Sequence, residues 1–289
     1  MVGAITLLHP RVRMVVEDMR WSLTPIQEAG IPDLIEGSDR LLIAPTGSGK
    51  TEAAILPLIS RALTEGWTGL SILYITPLRA LNRDIDRRLT RTLAPLGLEV
   101  GVRHGDTSKK ERRRQSMSPP ELLVTTPETA QIMLQGSRLR GHLAGVRAIV
   151  LDEVHDLASS ERGSQLLVGL ERIKDLGSER MQLVGLSATV GNPNEVAKWF
   201  SKHAEPIIGP AARYTERRGA QGAGEPRGRV AVRRVVSLSE LGGRIQETGS
   251  NTAGGLAGAG VCQLSQYRGD RRTAPLFNGA RVDLGGSPR

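Results

Sequence analysis

The chain contains a single cysteine, Cys262. No disulfide framework can form within it, and a reducing, cytoplasmic setting is the expectation. Nowhere do eighteen apolar residues run together, so no transmembrane helix and no membrane partner is expected. Residues 1–10 are too short and too weakly patterned for a secretory signal. Aromatic residues make up 3% of the sequence, which argues against a stacking platform for bases. Lysine stands only at positions 50, 109, 110, 174, 198 and 202, so the formal charge of +9 is carried almost entirely by arginine. A charge of that sign points to a polyanionic partner, most simply nucleic acid, although an arginine bias in coding composition gives the same excess.

What the sequence does have is a stretch around which the rest is organised. Leu41-Leu42-Ile43-Ala44-Pro45-Thr46-Gly47-Ser48-Gly49-Lys50-Thr51 runs from apolar residues through a glycine-containing turn into the helix-favouring Glu52-Ala53-Ala54-Ile55-Leu56. The order reads strand, phosphate loop, helix. Thr46, Gly47, Ser48 and Gly49 are small enough for backbone N–H groups to close around phosphate oxygens, and the helix N-terminus adds positive partial charge. Lys50 can reach the β- and γ-phosphates of ATP, and the Thr51 hydroxyl can ligate Mg²⁺. Ala44 stands where the strict pattern has glycine.

Upstream, a short helix is expected around residues 12–19, followed by Thr24 as a helix N-cap with Pro25 at the first helical position. Gln27 is an exposed first-turn amide or, by its spacing to the phosphate loop, a reader of the adenine N6/N7 edge. Downstream, strands at 71–76, 98–103, 121–125, 146–151 and 181–186 alternate with helices at 78–93, 108–115, after Pro127, 163–176 and 194–200. Pro57 is expected to kink the helix that follows the phosphate loop. Such alternation predicts an α/β fold with a mostly parallel sheet covered by helices on both faces. In such sheets ligands sit beyond the carboxyl ends of the strands. The phosphate loop, Thr76-Pro77, Thr125-Thr126-Pro127, Asp152-Glu153 and Ser187-Ala188-Thr189 all fall there.

Ile149-Val150-Leu151 delivers two adjacent carboxylates to that edge. Asp152 suits Mg²⁺ coordination, and Glu153 suits orienting and deprotonating an attacking water. The charged run Lys109-Lys110-Glu111-Arg112-Arg113-Arg114 reads as a solvated helix face, with a phosphate track as the alternative.

Together these stretches resemble the superfamily 2 helicases of the DExH class. Ala44–Thr51 is similar to motif I, Asp152-Glu153-Val154-His155 to motif II and Ser187-Ala188-Thr189 to motif III. Leu23-Thr24-Pro25-Ile26-Gln27 resembles the Q motif, Thr76-Pro77-Leu78-Arg79-Ala80-Leu81 motif Ia, and Thr125-Thr126-Pro127-Glu128 motif Ib. Within the class, Arg103-His104-Gly105-Asp106-Thr107 and Ser187–Pro193 look like the large helicase-related (Lhr) family. The resemblance covers about residues 8–212 and implies a RecA-like P-loop NTPase lobe of an ATP-driven translocase on single-stranded or partly duplex DNA or RNA. It implies that Thr76, Pro77, Arg79, Gly105, Thr126, Pro127 and Glu128 contact the nucleic-acid backbone. It also implies that Ser187 and Thr189 couple nucleotide state to strand grip, with His155 linking motif II to motif III. Lys50, Asp152, Glu153 and His155 are then the catalytic set.

The character of the chain changes near residue 211. Residues 211–289 are rich in Gly and Arg, contain no lysine and show no sustained period. Domain 1–210 is expected to be the helicase ATP-binding lobe, and 211–289 a disordered or frame-shifted tail. Nothing in 211–289 resembles motifs IV, V or VI, so the second helicase lobe is expected to be absent from this chain. The alternative function is a truncated module that binds ATP and nucleic acid without unwinding.

Overall fold

The structure, a computed structural model, describes residues 3–77, 79–177, 180–210 and 213–214. It opens with helix α1 (Pro10–Asp18), which His9 caps by accepting from Arg11 N, and helix α2 (Pro25–Ile35). A strand–helix alternation follows: β1 (Arg40–Ile43), α3 (Lys50–Glu65), β2 (Ile72–Ile75), α4 (Arg79–Leu93), β3 (Val100–Arg103), α5 (Lys109–Met117) and β4 (Leu122–Thr125). Two short helices, α6 (Pro127–Met133) and α7 (Ser137–Leu143), lead to β5 (Ala148–Leu151). Then come α8 (Val154–Ala158), α9 (Glu161–Leu176), β6 (Gln182–Ser187), β7 (Thr189–Val190), α10 (Pro193–Phe200), β8 (Glu205–Ile208) and β9 (Arg213–Tyr214). Pro57 lies inside α3, which continues past it to Glu65.

Among the described residues one seven-stranded sheet has the order β3-β4-β2-β5-β6-β1-β8. Every pairing in it is parallel. Parallel strands bury both faces, and the residues divide by parity. Leu41, Ile43, Leu73, Ile75, Ile149 and Leu151 face one core, with residues of α6 to α10. Leu42, Ile72, Tyr74, Val150, Val184 and Leu186 face the other, with residues of α1 to α4. The expected two-faced α/β architecture is therefore present.

Because the strands run one way, their carboxyl ends share one edge. The registers Ile75↔Leu151 and Ile75↔Thr125 bring the loops after β2, β4 and β5 side by side there. Asp152 N donates to Ile75 O at 2.8 Å, and Thr76 N to Thr125 O at 3.0 Å, extending the ladder into the loops.

Strand β9 pairs with β7 and begins three residues past the expected boundary at 210. The expectation of a disordered tail falls on 211–212 and 215–289, which lie outside the described residues. No helix among the described residues is long and apolar enough to cross a membrane.

The junction of α8 and α9 depends on one missing side chain. A Cβ on Gly163 would lie 1.9 Å from Leu157 O and 2.9 Å from the Trp199 ring. Ser160 N and Oγ already hold that carbonyl, each at 3.0 Å, so it cannot retreat easily. Gly163→Ala is expected to cost about 1–3 kcal/mol through overpacking, despite alanine's better helix propensity. Thermal unfolding checks this: a Tm about 3–10 °C lower is expected.

Candidate nucleotide and nucleic-acid site

The phosphate loop begins where β1 ends. Gly47 (φ +78°) and Gly49 (φ +85°) take left-handed conformations that disfavour a side chain. At Gly49 the restriction is doubled, since a Cβ there would lie 2.4 Å from Gln27 Nε2. Lys50 opens α3, so the loop leads directly onto a helix N-terminus. Lys50 Nζ donates to Ala44 O at 2.6 Å and Pro45 O at 3.0 Å, folding the ammonium over the loop. The buried hydroxyl oxygen of Ser48 has no hydrogen-bond partner.

Asp152 and Glu153 follow β5. Asp152 is buried, with Oδ2 accepting from the Tyr74 hydroxyl at 2.8 Å and Oδ1 accepting from Glu153 N at 3.0 Å. Glu153 has φ 48° and ψ 48° as the N-cap of α8. A non-glycine residue held in that region costs about 1–3 kcal/mol, a strain typical of functional turns.

Burial sets the electrostatics. Desolvation lowers the Lys50 pKa, against the opposing pull of Glu153 and Asp152. Desolvation raises Asp152, which the Tyr74 hydrogen bond partly offsets. It also raises Glu153, and the neighbouring Asp152 charge adds to the rise. All three groups are thus pushed toward neutrality. A phosphate anion beside Lys50 and a divalent cation beside the carboxylates would each supply the missing counter-charge.

His155 lies two residues along from Glu153, in the first turn of α8. Its Nδ1 is 3.4 Å from Glu153 Oε2, an oxygen with no hydrogen-bond partner, and 2.9 Å from Ser187 Oγ. Ser187 Oγ also donates to Thr189 O at 3.0 Å. A hydroxyl has one hydrogen, so when Ser187 donates to Thr189 the imidazole Nδ1 must be the donor to Ser187. Hydrogen bonds therefore run from His155 through Ser187 to Thr189, and the Glu153 carboxylate lies beside the histidine end of that path. Ser187 is buried and Thr189 exposed.

Gln27 is buried rather than exposed. Its Oε1 accepts from Thr24 N at 2.9 Å and its Nε2 donates to Gly49 O at 3.1 Å. One amide hydrogen and one lone pair remain for other partners. It lines a cavity of about 330 Å³ with Arg20, Trp21, Ser22, Thr24 and Glu52, beside the start of α3. Arg20 and Trp21 carry no motif signal in the sequence. Arg20 reveals itself only through its φ of 53°.

The residues proposed for nucleic acid sit along the same edge. Thr76, Pro77, Thr126 and Pro127 are buried, whereas Gly105 and Glu128 are exposed. Thr126 caps α6 by accepting from Thr129 N, and Arg79 is the first residue of α4. Arg162 of α9, which no motif flags, ties the two loops together. Its Nε donates to Glu128 Oε1 at 2.6 Å and its Nη2 to Pro77 O at 3.3 Å. In the charged run, Arg112 turns inward to the carbonyls of His104 and Gly105. Arg114 pairs with Glu99 and Glu111, while Lys109, Lys110 and Arg113 face solvent.

The sequence profile of the DEAD/DEAH box helicase family matches residues 24–196. A Lhr helicase and probable uracil glycosylase of Mycolicibacterium smegmatis is 41% identical over 200 residues, covering 64% of this chain and 13% of its own length. A Lhr-Core ATP-dependent helicase of Sulfolobus acidocaldarius is 35% identical over 210 residues, covering 68% of this chain and 24% of its own. The solved structure of the Mycobacterium smegmatis helicase Lhr bound to ssDNA and AMP-PNP superposes with a TM-score of 0.67 at 36% identity. That match takes in 72% of this chain and 28% of that one. This chain therefore spans a quarter or less of these two sequence relatives. Profile, relatives and fold agree over the same part of the sequence: the chain belongs to the DEAD/DEAH box helicase family.

Proposed function

We propose that this chain is the ATP-binding lobe of a DExH-type helicase, in which ATP hydrolysis drives movement along DNA or RNA. The observation that carries the reading is the convergence of Lys50, Asp152 and Glu153 at one sheet edge, with His155 beside Glu153 and hydrogen-bonded through Ser187 to Thr189. ATP with Mg²⁺ supplies a phosphoryl group that water can attack. The unpartnered Ser48 hydroxyl and the left-handed Gly47 and Gly49 fit a loop shaped to bind phosphate. Thr51 and Asp152 would hold the Mg²⁺.

Each residue then has a separate task. Lys50 exchanges its two carbonyl partners for phosphate oxygens, a stronger charge-assisted contact. Glu153 takes the proton of the attacking water, a task suited to a carboxylate that burial makes more basic. Trp21 and Gln27 border the space for the base, and the free amide positions of Gln27 can read the adenine edge. His155, Ser187 and Thr189 pass the state of the Glu153 carboxylate to the β6–β7 loop. In a complete helicase a second lobe supplies arginine to the transferring group, an effect worth a factor of roughly 10³–10⁵ in related chemistry.

Nucleic acid lies, on this reading, across Arg79, Gly105 and Glu128, with Thr76, Pro77, Thr126 and Pro127 shaping the loops beneath. Contacts from loop backbone and arginine to phosphate read no sequence. Binding of a fluorescent oligonucleotide, followed by anisotropy at several salt concentrations, tests this. We expect affinity that is independent of sequence and falls linearly on a log–log plot against salt. Salt-independent or strongly sequence-selective binding would contradict it.

A further inference from the structure

Tyr74 looks like a core residue, yet its hydroxyl touches the chemistry. It lies on β2 in register with Val150 of β5 and is fully buried. Asp152 is two residues beyond Val150, so parity aims its side chain at the same sheet face as the phenol. The Tyr74 hydroxyl donates to Asp152 Oδ2 at 2.8 Å, and the Thr51 side chain lies beside the same hydroxyl. Thr51 stands on α3 and Asp152 after β5, and the buried hydroxyl is close to both.

We propose that Tyr74 is a positioning residue for the divalent cation, holding the Asp152 carboxylate, across from the Thr51 hydroxyl, in the geometry that the ion requires. This rests on the reading of Thr51 and Asp152 as Mg²⁺ ligands. Both Asp152 oxygens are engaged by this protein, Oδ2 by Tyr74 and Oδ1 by Glu153 N. Two donors on two oxygens fix the plane of the carboxylate, where one would leave it free to rotate about χ2. Each oxygen keeps a second lone pair for a metal or its water. Partners of this kind orient metal ligands, and their loss typically weakens metal affinity by about 10–100-fold.

Tyr74→Phe removes the hydroxyl and keeps the ring that packs among Ile72, Val124 and Val150. The full chain is titrated with Mg²⁺ at fixed fluorescent ATP analogue, and nucleotide affinity is measured separately in EDTA. We expect the Mg²⁺ needed for half-saturation to rise by about 10-fold or more in Tyr74→Phe, with affinity in EDTA unchanged. Asp152→Asn and the double variant complete a cycle. Because Tyr74 acts through Asp152, adding Tyr74→Phe to Asp152→Asn is expected to cause little further loss.

Equal weakening in Mg²⁺ and in EDTA, accompanied by a lower Tm, would show a structural residue only and overturn the proposal. So would an unchanged Mg²⁺ requirement. If the wild-type chain itself binds nucleotide with no Mg²⁺ dependence, the ligand assignment of Thr51 and Asp152 fails first. Tyr74 then has no ion to serve.

Discussion

Glu153→Gln is expected to remove ATP hydrolysis while leaving nucleotide binding nearly intact. The amide keeps the shape of the side chain and adds no new backbone strain at φ 48°. It cannot accept the proton of an attacking water. Loss of a positioned general base typically costs about 10²–10⁴-fold in rate. The ground-state phosphates interact with Lys50 and the loop, so affinity is expected to change by no more than about twofold. The rate is read as single-turnover phosphate release with protein in excess and polynucleotide present. A variant that hydrolyses ATP at the wild-type rate would show that another group is the base.

The second large effect is expected at Lys50→Ala. The ammonium now donates to Ala44 O and Pro45 O, and both bonds shape the loop as well as hold the cation in place. Removing it deletes the charge nearest the phosphates. Hydrogen bonds to charged groups are worth about 1.5–3 kcal/mol each, so a loss of affinity of roughly 100-fold or more follows if two are made. Burial lowers the Lys50 pKa, yet Glu153 and Asp152 oppose the shift, and a bound triphosphate would oppose it further. Competition against a fluorescent ATP analogue measures the difference, with circular dichroism confirming that the fold is retained.

Much of this site is legible in the sequence because its residues are contiguous. Gly47 to Thr51 must lie between a strand and a helix, and Asp152-Glu153 must end a buried strand. The alternation of apolar strands with helices leaves little choice of fold. What the sequence hides is contact between distant positions. Arg162 reads as an ordinary first-turn residue of α9, although it reaches Pro77, 85 positions away. Tyr74 sits in an apolar run where an aromatic signals only core. Gln27 has the pattern of an exposed first-turn residue, and its burial follows from the close approach of Gly49.

Some elements were hidden for local reasons. Pro206 argues against a strand at Glu205–Ile208, but β8 is at the sheet edge, where a missing N–H is tolerated. Helix α7 follows Gly136, which makes no side-chain cap, so its start carries no signal. Helix α8 spans five residues, too few for a period to show.

The most direct test of the central claim, that the loop between β1 and α3 is a nucleotide site, is a calorimetric titration of the wild-type chain. The titrant is a non-hydrolysable ATP analogue with Mg²⁺. We expect one saturable site per chain, competed by ATP and lost in Lys50→Ala. Absence of saturable binding by the folded wild-type chain, or equal binding by Lys50→Ala, would contradict it.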